Sequence, residues 1–245
     1  MKRNIITTSD GSKTIQIEEW NEQYHSIHGA IQEANHVFLK HGLLFYSEEI
    51  LQLQNTNTSL AAQSESANTT INILEIGFGT GLNAFLTLIA SKKLKQAINY
   101  VGVEAYPVKQ EEIEQLNYVQ LISEQDASVF ENMHSITWEK QHKIASHFQL
   151  EKQEKFFKDI SADHLFNIIY FDAFGARVQP ELWTEAIFTT MYKALKDNGV
   201  LVTYSAKGSV RRAMQAVGFK VERLPGPPGK REMLRATKHS TKEAS

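Results

Sequence analysis

Cysteine is missing from all 245 residues, which excludes disulfides, thiolate nucleophiles and thiolate-ligated zinc or iron–sulfur centres. Long apolar runs are missing as well. The start Met1-Lys2-Arg3-Asn4-Ile5-Ile6-Thr7-Thr8-Ser9-Asp10 has basic residues with no apolar segment behind them, and no later stretch approaches membrane-spanning length. A cytoplasmic protein is expected. Metal binding finds no support: His25, His28, His36 and His41 lie close together, but without a carboxylate at ligand spacing in a shared helix. No internal repeat is visible.

Strong net charge is also absent, yet the formal value of −2 conceals an uneven distribution. Residues 207–238 hold Lys207, Arg211, Arg212, Lys220, Arg223, Lys230, Arg231, Arg235 and Lys238 against only Glu222 and Glu232. Such a stretch is either a basic face that steers a polyanion or an ordinary solvated surface. The remaining composition, 42% hydrophobic and 22% charged, is that of one soluble globular domain, with room for a small appendage.

The run Asn72-Ile73-Leu74-Glu75-Ile76-Gly77-Phe78-Gly79-Thr80-Gly81-Leu82-Asn83 reads as a buried strand feeding a glycine turn that opens a helix. Glycines at alternate positions let the chain turn tightly and let its backbone approach a ligand. Strands are expected at 71–76, 99–104, 147–152, 166–172 and 200–204, followed by a strand pair at 219–224 and 232–236. Helices are expected at 82–91, from Pro107, at 128–145, 180–196 and 208–217. Alternating β and α units imply an α/β fold with a parallel, doubly wound sheet. Asp10-Gly11 between short alternating segments adds a small N-terminal β element. Residues 52–70, almost wholly Gln, Asn, Thr, Ser and Ala, read as a polar linker or insertion between an extension at 1–51 and a core at 71–238; residues 239–245 read as a flexible tail.

Ligands of such sheets bind outside the carboxyl ends of the strands, beside the first one. Glu75, Glu104 and Asp172 end strands there. An acid ending the second strand suits the ribose hydroxyls of NAD and of S-adenosylmethionine alike. The spacing Gly77-x-Gly79-x-Gly81 departs from the dinucleotide fingerprint, and the acid Glu75 beside the loop suits a sulfonium and an ammonium group better than a pyrophosphate. Asp172 ends an apolar strand, where it either accepts an N–H from a substrate amine or caps the turn through Gly175. Phe174 or Tyr170 would wall that site. Trp183 reads as core.

Six segments then carry a resemblance: 74–83, Phe171-Asp172-Ala173-Phe174, Pro180-Glu181-Leu182-Trp183-Thr184, Ser209-Val210-Arg211-Arg212, Ala216-Val217-Gly218-Phe219 and Gly229-Lys230-Arg231-Glu232-Met233-Leu234. In order and spacing the chain resembles the MnmD family, stand-alone relatives of the methyltransferase domain of the bifunctional tRNA-modifying protein MnmC. The resemblance implies a class I, Rossmann-like methyltransferase fold with a seven-stranded sheet. It implies S-adenosylmethionine-dependent methylation of the primary amine of 5-aminomethyl-(2-thio)uridine at the tRNA wobble position, and no removal of a carboxymethyl group by this chain. By the same resemblance Glu75, Gly77, Gly79, Gly81 and Asn83 would line the methionine side of the cofactor, Glu104 its ribose, and Glu154, or else Gln153 or Asp159, its adenine. Tyr24-His25-Ser26 and Glu33 would close over it. Asp172 would hold the amine beside Phe174, with Arg211, Arg212, Lys230 and Arg231 on tRNA phosphates. Pro225-Gly226-Pro227-Pro228-Gly229 departs from the family's loop. Two rival readings are an aminopropyltransferase resembling spermidine synthase and a non-catalytic RNA- or cofactor-binding module.

Overall fold

The computed structural model describes residues 2–50, 52 and 70–239. The polar stretch 53–69 and the tail from 240 onward lie outside the described residues. The N-terminal β element is a three-stranded antiparallel sheet: β1 (Arg3–Thr7), β2 (Lys13–Ile17) and a short β3 (Glu22–Gln23) that the sequence pattern did not indicate. Helix α1 (Ala30–Ala34) follows and continues with π-helical turns over Asn35–Leu44 and Tyr46–Ile50.

The main sheet holds eight strands among the described residues. They are β4 (Ile71–Ile76), β5 (Ile98–Glu104), β6 (Gln141–Ala145), β7 (Phe148–Glu154), β8 (Phe166–Phe171), β9 (Leu195–Thr203), β10 (Lys220–Pro225) and β11 (Glu232–Thr237). Their spatial order is β10-β11-β9-β8-β4-β5-β7-β6. The five strands from β9 to β7 run parallel, whereas β6, β10 and β11 pair antiparallel. Crossovers leave in opposite directions on either side of β4, which makes its carboxyl end the switch point. The seven expected strands are all present, and β6 is an eighth.

That eighth strand corrects the expected helix at 128–145. Helix α5 (Ala127–Ser135) stops early, and Gln141–Ala145 adds itself to the free edge of β7. Its sequence, with Gln141 and Lys143 exposed, suits an edge that must not recruit another chain. The expected single helix at 180–196 is also divided. Pro180–Trp183 forms one tight turn, Thr184 accepts the Ile187 N–H through its side chain, and α6 (Glu185–Ala194) starts there. A capping hydroxyl outcompetes helix continuation at that point. The remaining helices are α2 (Leu82–Leu94), the short α3 (Gln110–Ile113) and α4 (Tyr118–Ile122), and α7 (Gly208–Ala216).

Two apolar layers sandwich the sheet. On one face Val37, Phe38, Leu43 and Tyr46 of the long N-terminal helix pack with Phe85 of α2 and Tyr170 of β8. On the other, Phe188 and Met191 of α6 and Met214 of α7 cover Leu74, Ile169 and Leu201. The helix after the N-terminal sheet is thus part of the main core, and this brings residues 20–33 to the mouth of the switch point. Among the described residues no helix is long and apolar enough to cross a membrane.

Candidate active site

β4, β5 and β8 end side by side, and the loops beyond them line a cleft of about 1590 Å³ together with Trp20, Tyr24, His25 and Glu33. The glycine turn makes one wall. Gly77 has φ 90°, and a Cβ there would sit 2.7 Å from the Asp172 carbonyl oxygen, so the two strand ends cross too closely for a side chain. Gly79 has φ 50°, faces the Tyr24 ring, and donates its N–H to Glu104 at 3.0 Å. The Tyr106 N–H reaches the other Glu104 oxygen at 3.0 Å. Burial raises the Glu104 pKa, and each carboxylate oxygen retains capacity for another donor. Gly81 stands at the N-cap of α2, against His134, and is not part of the cleft lining.

Glu75 does not reach the cleft. It is 1% exposed and accepts the Asn83 amide at 2.8 Å and the Tyr100 hydroxyl at 2.9 Å. Burial holds its carboxyl well above the usual range. Asn83 does line the cleft, and its Nδ2 also donates to Asp172 at 2.8 Å. With both amide protons facing carboxyl groups, Asn83 Oδ1 is left buried with no partner among the described residues. The acid before the glycines therefore acts through Asn83, which it orients and which in turn holds Asp172.

Asp172 lines the cleft. Burial first, and the negative charge of Glu33 second, push its carboxyl up to about 7, partly offset by the Asn83 hydrogen bond and the Lys230 cation. Among the described residues no backbone N–H of the following turn binds this carboxylate, so its side chain is not capping the turn at Gly175. Phe174 meets Trp20 and Tyr24 edge-on at 5.5 and 5.0 Å, making an aromatic wall. Arg177, also on the cleft lining, ties that wall together, donating to the Trp20 and Asn21 carbonyls and to Glu22 at 2.9–3.0 Å. Trp183 is core: it is buried against Phe171 and donates to the Phe174 carbonyl at 2.8 Å.

Of the three acids and amides considered for the far end, Glu154 lines the cleft and Gln153 and Asp159 do not. The basic stretch divides sharply. Arg223 pairs with Glu232 and Arg235 with Glu222, while Lys238 is 4% exposed and donates to the Tyr192 and Leu195 carbonyls at the end of α6. Lys207, Arg211, Arg212, Lys220 and Arg231 form no ion pair among the described residues, and Lys207 lines the cleft. Lys230, expected among the phosphate contacts, instead turns into the cleft, where it pairs with buried Glu33 and lies over the Tyr204 ring at 3.8 Å. That pairing, the Arg177 clamp and Tyr204 were not legible in the sequence, because each joins segments far apart in the chain and belongs to no local motif.

Residues 123–239 match the model of a family described as S-adenosyl-L-methionine-dependent methyltransferase. A tRNA 5-methylaminomethyl-2-thiouridine biosynthesis bifunctional protein MnmC from Marinomonas sp. is 29% identical over 229 residues, covering 88% of this chain and 31% of the relative. The chain spans under a third of the length of the curated relatives it matches. In fold it is similar to MnmC2 from Aquifex aeolicus, with a TM-score of 0.72 at 22% identity over 99% of this chain and 73% of that one. A spermidine synthase in complex with the transition state analogue AdoDATO shares the fold at a TM-score of 0.52 and 14% identity, covering 96% of this chain and 70% of the other.

Proposed function

We propose that this chain, an S-adenosyl-L-methionine-dependent methyltransferase related to the MnmC proteins, methylates the primary amine of 5-aminomethyl-(2-thio)uridine at the wobble position of tRNA. The observation that carries this reading is Asp172, a carboxylate held by Asn83 at the switch point and facing an aromatic wall. The names of the full-length relatives point to the same nucleoside.

The residues present fit the cofactor. Glu104 has spare acceptor capacity for two ribose hydroxyls, and the orphaned Asn83 Oδ1 is an acceptor suited to an ammonium group. Gly77 and Gly79 permit close backbone approach, with Tyr24 above Gly79 and Glu154 at the far end. When bound, S-adenosyl-L-methionine supplies an electrophilic methyl group on a sulfonium sulfur. The protein's task is then to present a neutral amine. An alkylammonium entering the cleft meets Asp172, whose carboxyl titrates near neutrality and can take one proton from nitrogen. The carbonyl oxygen of the now protonated Asp172 then accepts from a remaining N–H, so that the lone pair is aimed. Trp20, Tyr24 and Phe174 exclude water and present ring faces and edges to the passing cation. Lys207, Arg211, Arg212 and Arg231 supply phosphate contacts around an extruded base.

The test is tRNA carrying 5-aminomethyluridine, incubated with the protein and methyl-labelled cofactor, then digested for nucleoside mass spectrometry. Labelled 5-methylaminomethyluridine is expected; its absence with tRNA that a known enzyme methylates would overturn the substrate. A parallel reaction with the decarboxylated cofactor and a diamine should yield no aminopropyl product.

A further inference from the structure

We propose that the ion pair of Glu33 and Lys230 is a positioning element that sets the charge of the Asp172 carboxylate and thereby decides in which protonation state an amine is held there. This rests on the reading that Asp172 receives the substrate amine.

The pair is assembled from opposite ends of the chain. Glu33 lies in α1, is 6% exposed, and is oriented by the Ser26 N–H at 3.1 Å. Lys230 comes from the loop between β10 and β11, and its Nζ lies over the Tyr204 ring at 3.8 Å while reaching Glu33. The Tyr204 hydroxyl is anchored to the carbonyl of Ala173, the residue after Asp172, at 2.8 Å. Glu33, Lys230, Tyr204 and Asp172 thus line one end of one cleft.

The other titratable groups facing Asp172 are Glu75 behind Asn83, Tyr100 on β5, Tyr118 on α4 and Tyr204 just after β9. Burial raises all four, which favours the uncharged form of each. Glu33 and Lys230 are then the opposed charges acting on Asp172: the first favours its protonated form and the second its ionised form. The same two charges act on an incoming ammonium in the same sense. Lys230 discourages a cation beside it and Glu33 welcomes one. Balanced, they let Asp172 accept a proton from the ammonium and surrender it again to water.

An ion pair that does not act on Asp172 would not move its titration in opposite directions when either partner is removed. The experiment is a carbon-13 carboxyl NMR titration of aspartate-labelled protein, with the Asp172 signal assigned by its loss in Asp172→Asn. Glu33→Gln should lower the midpoint by about one pH unit and Lys230→Met should raise it by about as much. Lys230→Arg, which keeps the charge, should titrate near wild type. Midpoints that stay put, or shift the same way in both variants, overturn the proposal. If Lys230→Met does not fold, the Glu33→Gln midpoint decides alone, since a carboxylate relieved of a neighbouring negative charge must titrate lower. Opposed shifts together with no methylation of aminomethyluridine tRNA by the wild type would leave the charge pair standing and remove the substrate.

Discussion

The two walls of the cleft are built in different ways. The wall of Gly77, Gly79, Asn83 and Glu104 is local. Its residues sit within a turn of two adjacent parallel strands, and its ligating groups are backbone N–H donors and carboxylates fixed by them. The wall of Asp172, Phe174, Glu33 and Lys230 is assembled from three separate segments, tied by the Arg177 clamp and by an ion pair between residues 33 and 230. A common cofactor can be met by a compact motif. A particular substrate requires groups converging from several directions, and under the proposed function the N-terminal segment and the β10–β11 loop would provide them.

If the walls have separate duties, substitutions should separate methyl transfer from cofactor binding. The largest effect belongs to Asp172→Ala, which should lower methyl transfer by about 10³-fold while cofactor binding, followed by calorimetry, stays within a few-fold of wild type. Loss of both would show that Asp172 holds the fold of the loop and not the amine. Glu104→Gln should do the reverse. Exchanging one acceptor oxygen for a donor should weaken cofactor binding by about 10–100-fold and leave turnover at saturating cofactor nearly intact.

The contrast also explains what the sequence disclosed. Strand alternation, the glycine turn, and the acids ending β4, β5 and β8 were legible because each is a local pattern with a period or a spacing. Glu75 was legible in position but not in duty. A carboxylate before a glycine loop looks exposed to the ligand in one dimension, whereas in the fold its strand points it inward to Tyr100 and Asn83. The basic stretch at 207–238 was misleading for the opposite reason. Counting charges cannot reveal that Lys238 closes the end of α6, that Arg235 and Arg223 are already paired, or that Lys230 faces the cleft. Edge strand β6 was missed because a polar five-residue segment carries little apolar periodicity.

The cations divide between the two duties as well. Arg231 is exposed and unpaired among the described residues, while its neighbour Lys230 is committed. Arg231→Glu should weaken tRNA binding by about tenfold at low salt, with a shallower salt dependence and unchanged cofactor affinity. Filter binding across a salt series checks this. An equal loss of cofactor affinity would place Arg231 in the wrong wall.

The smallest effect tests whether the amine wall is strained by its own charge. An acid whose pKa is raised by folding keeps its full stabilising contribution below the unfolded value of about 3.9 and loses it as pH rises through the folded value. For Asp172 that folded value is about 7, so wild type should lose stability between pH 5 and 8 relative to a variant that cannot ionise. Glu75 is also raised, by burial and by the Asp172 charge, so its own penalty shrinks in the variant and adds to the difference in the same sense. Asp172→Asn retains an oxygen to accept the Asn83 amide, and its melting temperature relative to wild type should therefore be about 5–10 °C higher at pH 8 than at pH 5. Circular-dichroism melts without cofactor give the comparison directly. A difference independent of pH would mean that Asp172 is as well solvated in the folded protein as in the unfolded one, and the division between a wall that binds and a wall that manages charge would fail at its central residue.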